Sequence, residues 1–213
     1  KRQAKLMHRL CAQMGDDAAV AHFQTAFLTQ KSKAELAHEV MLHENRSIAR
    51  SGPKSFSLYV SIPFCPTRCA YCSFVSHSIE KTHKLMTPYV DLLLRELEET
   101  SKYAKELGLE LATVYFGGGT PTTLSAQDLG RIFTTIEQNF DLSHLMEYTV
   151  EAGRPDTVTR ERLEVIRAAG VQRISINPQS FNDKVLEAIG RRHTAQQTLD
   201  AFALARDCGF DHI

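Results

Sequence analysis

Three cysteines in one short loop constrain this chain more than any other feature of its sequence. Cys65, Cys69 and Cys72 have the spacing C-x3-C-x2-C. Thiolates this close in sequence converge on one point when the loop wraps around a metal ion or a metal cluster. A structural zinc ion needs a fourth protein ligand, which His77 or His83 could supply, whereas a cubane held by three thiolates leaves one iron open. The loop therefore predicts a metal centre, and the count of three favours the cluster.

Composition excludes several classes of partner. The 213 residues contain 25 Lys and Arg against 25 Asp and Glu, a formal net charge of +0, which argues against a nucleic-acid partner. No apolar run approaches the ~18 residues of a membrane span, and no signal peptide follows the charged N-terminus. Cys11 and Cys208 lie in amphipathic helical patterns and are predicted to be buried free thiols. The cysteine usage fits a reducing compartment and predicts a cytoplasmic protein.

Residues 1–52 predict a small helical N-terminal region. Apolar side chains recur there at helical spacing in three segments, and no proline precedes Pro53. Asp16 and Ser32 are candidate N-caps of the second and third helices. No catalytic constellation is recognisable. The histidines are not spaced as paired ligands and are interpreted as surface or packing residues: His8, His22, His38 and His43.

Residues 53–213 predict an α/β domain, because strand and helix patterns alternate as they do in a parallel sheet. Pro53 follows Ser51 and Gly52 at a change of composition that marks the boundary. Strands are predicted at 56–62, 112–116, 148–151 and 173–177, with a fifth beginning at 210–213, and helices at 88–107, from 125, at 159–169, at 182–189 and after Thr194. Leu199, Phe202 and Ala203 are predicted to face the core. Right-handed crossovers would curve such units into a partial barrel.

Four motifs in order carry a family resemblance. Tyr59-Val60-Ser61-Ile62-Pro63-Phe64 leads into the cysteine loop, and Gly117-Gly118-Gly119-Thr120-Pro121, Gln179-Ser180-Phe181-Asn182 and Gly190-Arg191-Arg192-His193 follow. From about Phe56 to its end the chain resembles the radical S-adenosylmethionine (SAM) enzymes, in the branch of oxygen-independent coproporphyrinogen III dehydrogenase. The resemblance implies a partial (βα)6 TIM-type barrel. The chain would contain about four and a half of its units, so we expect it to be truncated at its C-terminus, and at its N-terminus because it begins with lysine.

The resemblance also implies two cofactors and the residues that hold them. Cys65, Cys69 and Cys72 would bind a [4Fe–4S] cluster. The residues implied to contact SAM are Tyr59, Tyr71, Gly118, Gly119, Thr120, Glu151, Gln179 and Arg191, the last pairing a carboxylate through its planar guanidinium. Taken without the resemblance, the same residues are also typical of turn glycines, packed aromatic rings, a surface salt bridge and a solvated arginine. No residue is assigned a catalytic role.

Two departures from that branch stand out in the sequence. Phe74 occupies the place where the dehydrogenases have a further cysteine, two positions after the last ligand. The segment Glu151-Ala152-Gly153-Arg154-Pro155 is one residue longer than the usual Glu-Ala-Asn-Pro, which makes Arg154 a candidate specificity element. Roles for Arg192 and His193 are left open.

The resemblance implies a reaction and leaves alternatives. In the dehydrogenase, a 5′-deoxyadenosyl radical takes a hydrogen from a propionate of coproporphyrinogen III, and loss of CO2 yields a vinyl group. The first hypothesis is therefore an oxidative decarboxylation in porphyrin and haem biosynthesis, giving protoporphyrinogen IX. The second is a haem chaperone without dehydrogenase activity, which Phe74 also suits. The third is another radical SAM reaction on a small molecule. The expected partners are a porphyrinogen or haem and a low-potential electron donor such as flavodoxin or ferredoxin.

Overall fold

The structure is a computed structural model that describes residues 2–74 and 77–213. The chain divides into two compact units, Lys1–Pro53 and Lys54–Ile213, one residue later than the predicted boundary. Among the described residues, no helix is both long and apolar enough to cross a lipid bilayer.

The first unit consists of three helices, as predicted: α1 (Arg2–Met14), α2 (Asp16–Ala26) and α3 (Lys31–Arg50). Its core is small and contains Ala4, Met7, Leu10, Ala19, Phe23, Ala34, Ala37 and Met41. The predicted N-caps are wrong, because Gly15 and Gln30 precede the helices and neither makes a side-chain cap. Asp16 lies instead in the first turn of α2, where its negative charge suits the helix dipole.

The second unit is built on a parallel sheet of four strands in the order β1-β4-β5-β6. These strands are β1 (Ser55–Ile62), β4 (Glu110–Gly118), β5 (Glu147–Glu151) and β6 (Arg173–Ser175). Two short parallel strands, β2 (Phe64–Cys65) and β3 (His77–Ser78), follow the end of β1. Because all four long strands run in one direction, their carboxyl ends lie along the same edge of the sheet.

The described residues of the second unit form five α-helices: α4 (Ile79–Glu106), α5 (Ala126–Asn139), α6 (Arg160–Ala168), α7 (Asp183–Ala188) and α8 (Ala195–Asp207). Single 3-10 turns at Pro121–Thr123 and Pro155–Thr157 follow β4 and β5. Ser125 and Thr194 cap α5 and α8 through their side chains, as the sequence indicates. Helix α5 buries Leu129, Ile132, Phe133 and Ile136 on one face.

Two predicted helices differ from the structure. The predicted start at Pro88 is wrong, because α4 begins at Ile79 and includes Pro88 in its interior. Proline favours a first turn, but here it is tolerated within a helix whose later turns bury Leu93 and Leu97.

The predicted core face of the last helix, α8, is also wrong. Thr198, Ala201 and Ala205 are its buried residues, whereas Leu199, Phe202 and Ala203 are exposed. The Phe202 ring lies instead under the guanidinium of Arg206, at 5.1 Å. Small residues on the inner face allow close packing, which the apolar pattern alone did not indicate.

The chain end contacts the last strand of the sheet. The Ile174 amide donates to the His212 carbonyl oxygen at 3.1 Å, and Arg173 and His212 form a parallel bridge. This bridge continues the parallel order of the sheet at the place where a fifth strand is predicted. The parallel sheet with helical crossovers is consistent with a partial barrel.

Candidate functional site

A cavity of about 380 Å³ lies at the carboxyl ends of the parallel strands. All the site residues that the sequence predicts line it: Tyr59, Cys65, Cys69, Tyr71, Cys72, Gly118, Gly119, Thr120, Glu151, Gln179 and Arg191. They come from β1, the cysteine loop, β4, β5 and the segments after β6. The parallel topology brings together residues that are far apart in the sequence, and it does so at the edge where α/β proteins bind ligands.

The cysteine loop, residues 65–72, is irregular and is held by the segment between α7 and α8. The Ala70 amide donates to the Ile189 carbonyl at 3.0 Å, and the Thr67 hydroxyl donates to the Gly190 carbonyl at 3.1 Å. Gly190 has φ 77°, and a Cβ there would approach the Arg68 carbonyl oxygen to 3.3 Å. Glycine at this position therefore allows both the left-handed turn and the close approach of the loop.

A buried arginine ties the same loop to the end of β5. The Arg154 side chain is only 2% exposed and forms a two-point ion pair with Asp156, with N···O distances of 3.1 and 3.3 Å. Its guanidinium also donates to the Thr67 hydroxyl at 3.1 Å and to the Cys69 sulfur at 3.6 Å. The sequence proposed Arg154 as a specificity element. The structure places it against a predicted cluster ligand, where it positions the loop.

The three loop sulfurs are not gathered to the spacing of a single-ion site. Zn–S bonds of about 2.3 Å would put sulfurs of a tetrahedral site about 3.8 Å apart. Within the described residues, neither the three loop sulfurs nor these sulfurs with His77 or His83 form a group whose ligand atoms all lie within 4.8 Å of one another. Among the described residues no fourth ligand completes a single-ion site around the three thiolates, and this count of three suits a cluster with one open iron.

The glycines after β4 are required by the packing of the cysteine loop. A Cβ on Gly119 would approach the Phe64 carbonyl oxygen to 2.6 Å and the Cys65 sulfur to 3.0 Å. The Gly119 and Thr120 amides donate to the Ile62 and Phe64 carbonyls at 2.7 and 2.8 Å. These two amides are thus used within the protein and are not available to a ligand.

Aromatic side chains form one wall of the cavity. The Tyr59 ring stacks on Tyr115 with centroids 5.9 Å apart, and the Tyr115 hydroxyl donates to Glu151 Oε1 at 2.7 Å. Burial first, then the hydrogen bond to Glu151, raises the pKa of Tyr115 to about 12. Burial likewise raises the pKa of Tyr59, with a smaller contribution from Glu151. Both phenols therefore remain protonated at neutral pH, and Glu151 accepts a hydrogen bond from the Tyr115 hydroxyl rather than forming a surface salt bridge.

Arg191 joins the cysteine loop to the segment after β5. Its Nη2 and Nε atoms donate to the Tyr71 hydroxyl at 3.0 and 3.3 Å, and Nη1 donates to the Gly153 carbonyl at 3.2 Å. Among the described residues, no carboxylate oxygen lies within 4.0 Å of this guanidinium. The charge of Arg191 is thus fixed in position at the cavity wall without a protein counter-ion.

The strand-end segment after β6 contributes residues with unusual backbone or burial. Gln179 has φ 60°, in the left-handed region that few residues other than glycine adopt, and it lines the cavity. His193 is buried, its Nε2 lies 3.2 Å from the Pro178 carbonyl, and desolvation lowers its pKa, so it is neutral at pH 7. His193 packs behind the site. Arg192 is exposed and pairs with Glu80.

Sequence reasoning missed three residues that line the cavity: Ser73, Gly153 and Asn177. Asn177 lies just after the carboxyl end of β6, and Glu151 lies at the carboxyl end of β5. A polar residue at a strand end is the signal that could have identified Asn177. A Cβ on Gly153 would approach the Asn177 side-chain nitrogen to 3.3 Å. The two residues therefore determine each other's placement.

Comparison with known proteins agrees with this geometry. The model of the radical SAM superfamily matches residues 59–213. The chain is 35% identical over its whole length to the oxygen-independent coproporphyrinogen-III oxidase-like protein HemZ of Bacillus subtilis (strain 168), covering 43% of that protein. It is 39% identical over 75% of its length to the heme chaperone HemW of Lactococcus lactis subsp. lactis (strain IL1403), covering 40% of it.

A solved structure shows the same architecture. Coproporphyrinogen III oxidase (HemN) from Escherichia coli, described as a radical SAM enzyme, matches 78% of this chain with a TM-score of 0.63 and 28% identity. The match covers 37% of that protein. The chain thus spans less than half the length of these relatives.

Proposed function

Because the chain belongs to the radical SAM superfamily, we propose that it is part of a radical SAM oxidoreductase acting on a porphyrinogen. The proposed reaction is the oxygen-independent oxidative decarboxylation of coproporphyrinogen III to protoporphyrinogen IX. One observation carries the proposal: all eleven predicted cofactor residues line one cavity of about 380 Å³. Family membership implies a [4Fe–4S] cluster and SAM, and the residues present suit both.

The cysteines supply the proposed cluster ligands. Cys65, Cys69 and Cys72 offer three thiolates, a number that fits a cluster with one iron left for another ligand. When bound, the cluster would pass one electron to SAM and so provide a radical able to take a hydrogen atom from the substrate. Arg154 donates to the Cys69 sulfur, and this hydrogen bond would tune the potential at which the cluster accepts an electron.

The remaining residues would bind and orient SAM. Arg191 presents a fixed guanidinium that suits a carboxylate, and Glu151 presents an acceptor for a hydroxyl or ammonium group. Because the Gly119 and Thr120 amides are used within the protein, these two residues would contact SAM, beside Gly118, through carbonyl and hydroxyl oxygens. Tyr59 and Tyr71 offer ring faces, and Gln179 a side-chain amide.

The size of the cavity supports a role in binding SAM. A volume of about 380 Å³ lies in the lower part of the ~300–1,000 Å³ range of small-molecule sites, which suits SAM and leaves a tetrapyrrole outside it. Tyr59, Tyr71 and Phe74 line the cavity and are each more than half exposed. Exposed aromatic faces at its mouth support a flat, apolar substrate.

A haem chaperone is the second candidate. The relative HemW of Lactococcus lactis carries the name heme chaperone and is more identical to this chain, over the part that it matches, than is HemZ. Phe74, in place of a further cysteine, also favours it. A chaperone would hold haem outside the cavity, against the same exposed aromatic residues and near a bound cluster, without chemical conversion of the haem.

One experiment separates these functions. The protein is reconstituted anaerobically with iron and sulfide, then given SAM, a strong reductant and coproporphyrinogen III, and the products are followed by mass spectrometry. Vinyl products together with methionine support the dehydrogenase. Stoichiometric haem uptake without methionine formation supports the chaperone. Methionine formation without vinyl products identifies a radical SAM enzyme with a different substrate, and a protein that neither cleaves SAM nor binds haem contradicts both proposals.

Three further properties belong to the same proposal. The helical residues 1–52 and the radical SAM core from residue 53 would be separate domains. A low-potential donor such as flavodoxin or ferredoxin would supply the electron. A cytoplasmic location would keep the thiolate ligands reduced.

A further inference from the structure

The helical first unit contains a second group of metal-ligating side chains, which has no part in the proposed radical chemistry. Cys11 lies on α1, Asp16 begins α2 and His38 lies on α3. One ligand atom from each of them lies within 4.8 Å of the other two, and no other group of three or more in the described residues meets this limit. Three different helices thus bring a thiol, a carboxylate and an imidazole to one point.

The geometry between His38 and Asp16 is not that of an ordinary hydrogen bond. His38 Nε2 lies 3.0 Å from Asp16 Oδ2, yet within the described residues this buried ring nitrogen has no partner in hydrogen-bond geometry. An imidazole nitrogen and a carboxylate oxygen this close together, with a thiol beside them, offer the ligand atoms that a bound cation needs.

The burial of the group leaves a route for an ion. The His38 side chain is 21% exposed and Asp16 is 54% exposed, so the group is buried on the histidine side and open to water on the carboxylate side. Tetrahedral zinc bonds of about 2.0–2.3 Å place neighbouring ligand atoms about 3.3–3.8 Å apart. The observed separations, all within 4.8 Å, require only small side-chain movements to reach this.

We propose that Cys11, Asp16 and His38 form a mononuclear site for a late first-row divalent ion such as Zn²⁺, linking the three helices. Sulfur, nitrogen and oxygen ligands together suit zinc and its neighbours, whereas Mg²⁺ and Ca²⁺ prefer oxygen alone. Three protein ligands leave the fourth position to water on the exposed side. The small core of this unit would gain from such a link, because metal binding stabilises the folded form that brings the ligands together. The site does not depend on the proposed porphyrin chemistry.

Co²⁺ is the probe, because a cobalt–thiolate bond gives a charge-transfer band in the near ultraviolet. The titration uses the whole chain with Cys65, Cys69 and Cys72 all replaced by serine, so that a thiolate band arises from Cys11 or Cys208. We expect one Co²⁺ per chain and a thiolate band that the matched control Cys208→Ser retains and Cys11→Ser loses. His38→Gln should weaken Co²⁺ binding at least about tenfold. A band unchanged by Cys11→Ser, or no thiolate band at millimolar Co²⁺, overturns the proposal.

A second measurement applies if the triple-serine protein does not fold, which circular dichroism would show. The cluster-loaded protein and its Cys11→Ser and Cys208→Ser variants are dialysed against buffered free Zn²⁺, and bound zinc is counted by mass spectrometry. We expect one zinc fewer per chain in Cys11→Ser than in Cys208→Ser. Equal zinc in the two variants contradicts the site.

Discussion

The two cysteine regions of this chain hold their ligands in opposite ways. The loop from Cys65 to Cys72 is irregular, its sulfurs are spread apart, and it is held from outside by Gly190 and Arg154. The group of Cys11, Asp16 and His38 is compact, and regular helices position it. The difference teaches that the number and kind of ligand atoms distinguish the metal centre: three thiolates suit a cluster, and a close set of sulfur, nitrogen and oxygen suits one ion.

Removing a loop thiolate should have the largest effect and is the direct way to break the comparison. In Cys69→Ala the cluster loses one of its three ligands. We expect anaerobically reconstituted protein to fall from about four irons per chain to less than one. Iron and acid-labile sulfide analysis measures this. Cys208→Ser is the matched control, because Cys208 lies outside both cysteine regions, and this variant should keep its iron. A full iron content in Cys69→Ala would show that Cys69 is not a cluster ligand.

Arg154 tests whether the loop is held from outside. Arg154→Leu leaves Asp156 without its partner in a nearly buried pair and removes the donors to Thr67 and Cys69. We expect a loss of about 3 kcal/mol in the free energy of unfolding, measured in urea. We also expect a more negative cluster potential, because a hydrogen bond to sulfur favours the reduced state. Arg154→Lys keeps the charge, so its stability and cluster potential should lie between those of the unchanged protein and those of Arg154→Leu. If Arg154→Leu changes neither the stability nor the potential, Arg154 does not hold the loop.

Gly119 tests how tightly the loop packs against β4. In Gly119→Ala the new methyl group would meet the Phe64 carbonyl at 2.6 Å, so the loop must move. We expect a cost of about 1–3 kcal/mol in unfolding free energy, with weaker iron retention. Gly130→Ala is the control: Gly130 lies in helix α5, where alanine is favoured, and the atom nearest to the new methyl group, Val165 Cγ1 of α6, is 3.7 Å away. Equal behaviour of the two variants would mean that the close packing is not needed.

The smallest expected effect is that of Tyr115, whose ring stacks on Tyr59. The pKa of Tyr115 is raised from 10.0 to about 12, so folding favours its protonated form. The stability from this group is fully present below pH 10 and is lost as pH rises from about 10 to about 12. As the pH rises through this range, the unfolding free energy of the unchanged protein should fall more than that of the Tyr115→Phe variant. Solvent screening keeps the difference small. Identical pH dependence would show that the phenol is not shielded.

Much of the site could be predicted from the sequence, because strand ends in a parallel sheet share an edge. Glu151 and Gly118 end neighbouring strands, so their meeting follows from topology once the strands are recognised. The reach of Arg154 to Cys69 could not be predicted, because it depends on the extra residue in the segment after β5. No periodic pattern reports such a contact.

The helical group illustrates the same limit. His38 was interpreted as an ordinary packing residue because no second ligand lies at a recognisable spacing in the sequence. Its neighbours Cys11 and Asp16 come from two other helices, so only the packing of the three helices brings them together. In α8, likewise, the small residues Ala201 and Ala205 are buried, whereas the sequence predicts the larger Leu199 and Phe202 in the core. Helical periodicity gives the existence of a helix more reliably than the face that it buries.

The central claim is that the three loop cysteines hold a cluster with one iron open to SAM. Its most direct test is electron paramagnetic resonance of the reduced, anaerobically reconstituted protein before and after addition of SAM, with metal and sulfide analysis on the same sample. We predict about four irons and four acid-labile sulfides per chain, and a cluster signal that changes when SAM binds. Zinc without acid-labile sulfide, with the zinc retained in Cys11→Ser, or a cluster signal that SAM leaves unchanged, would contradict the account.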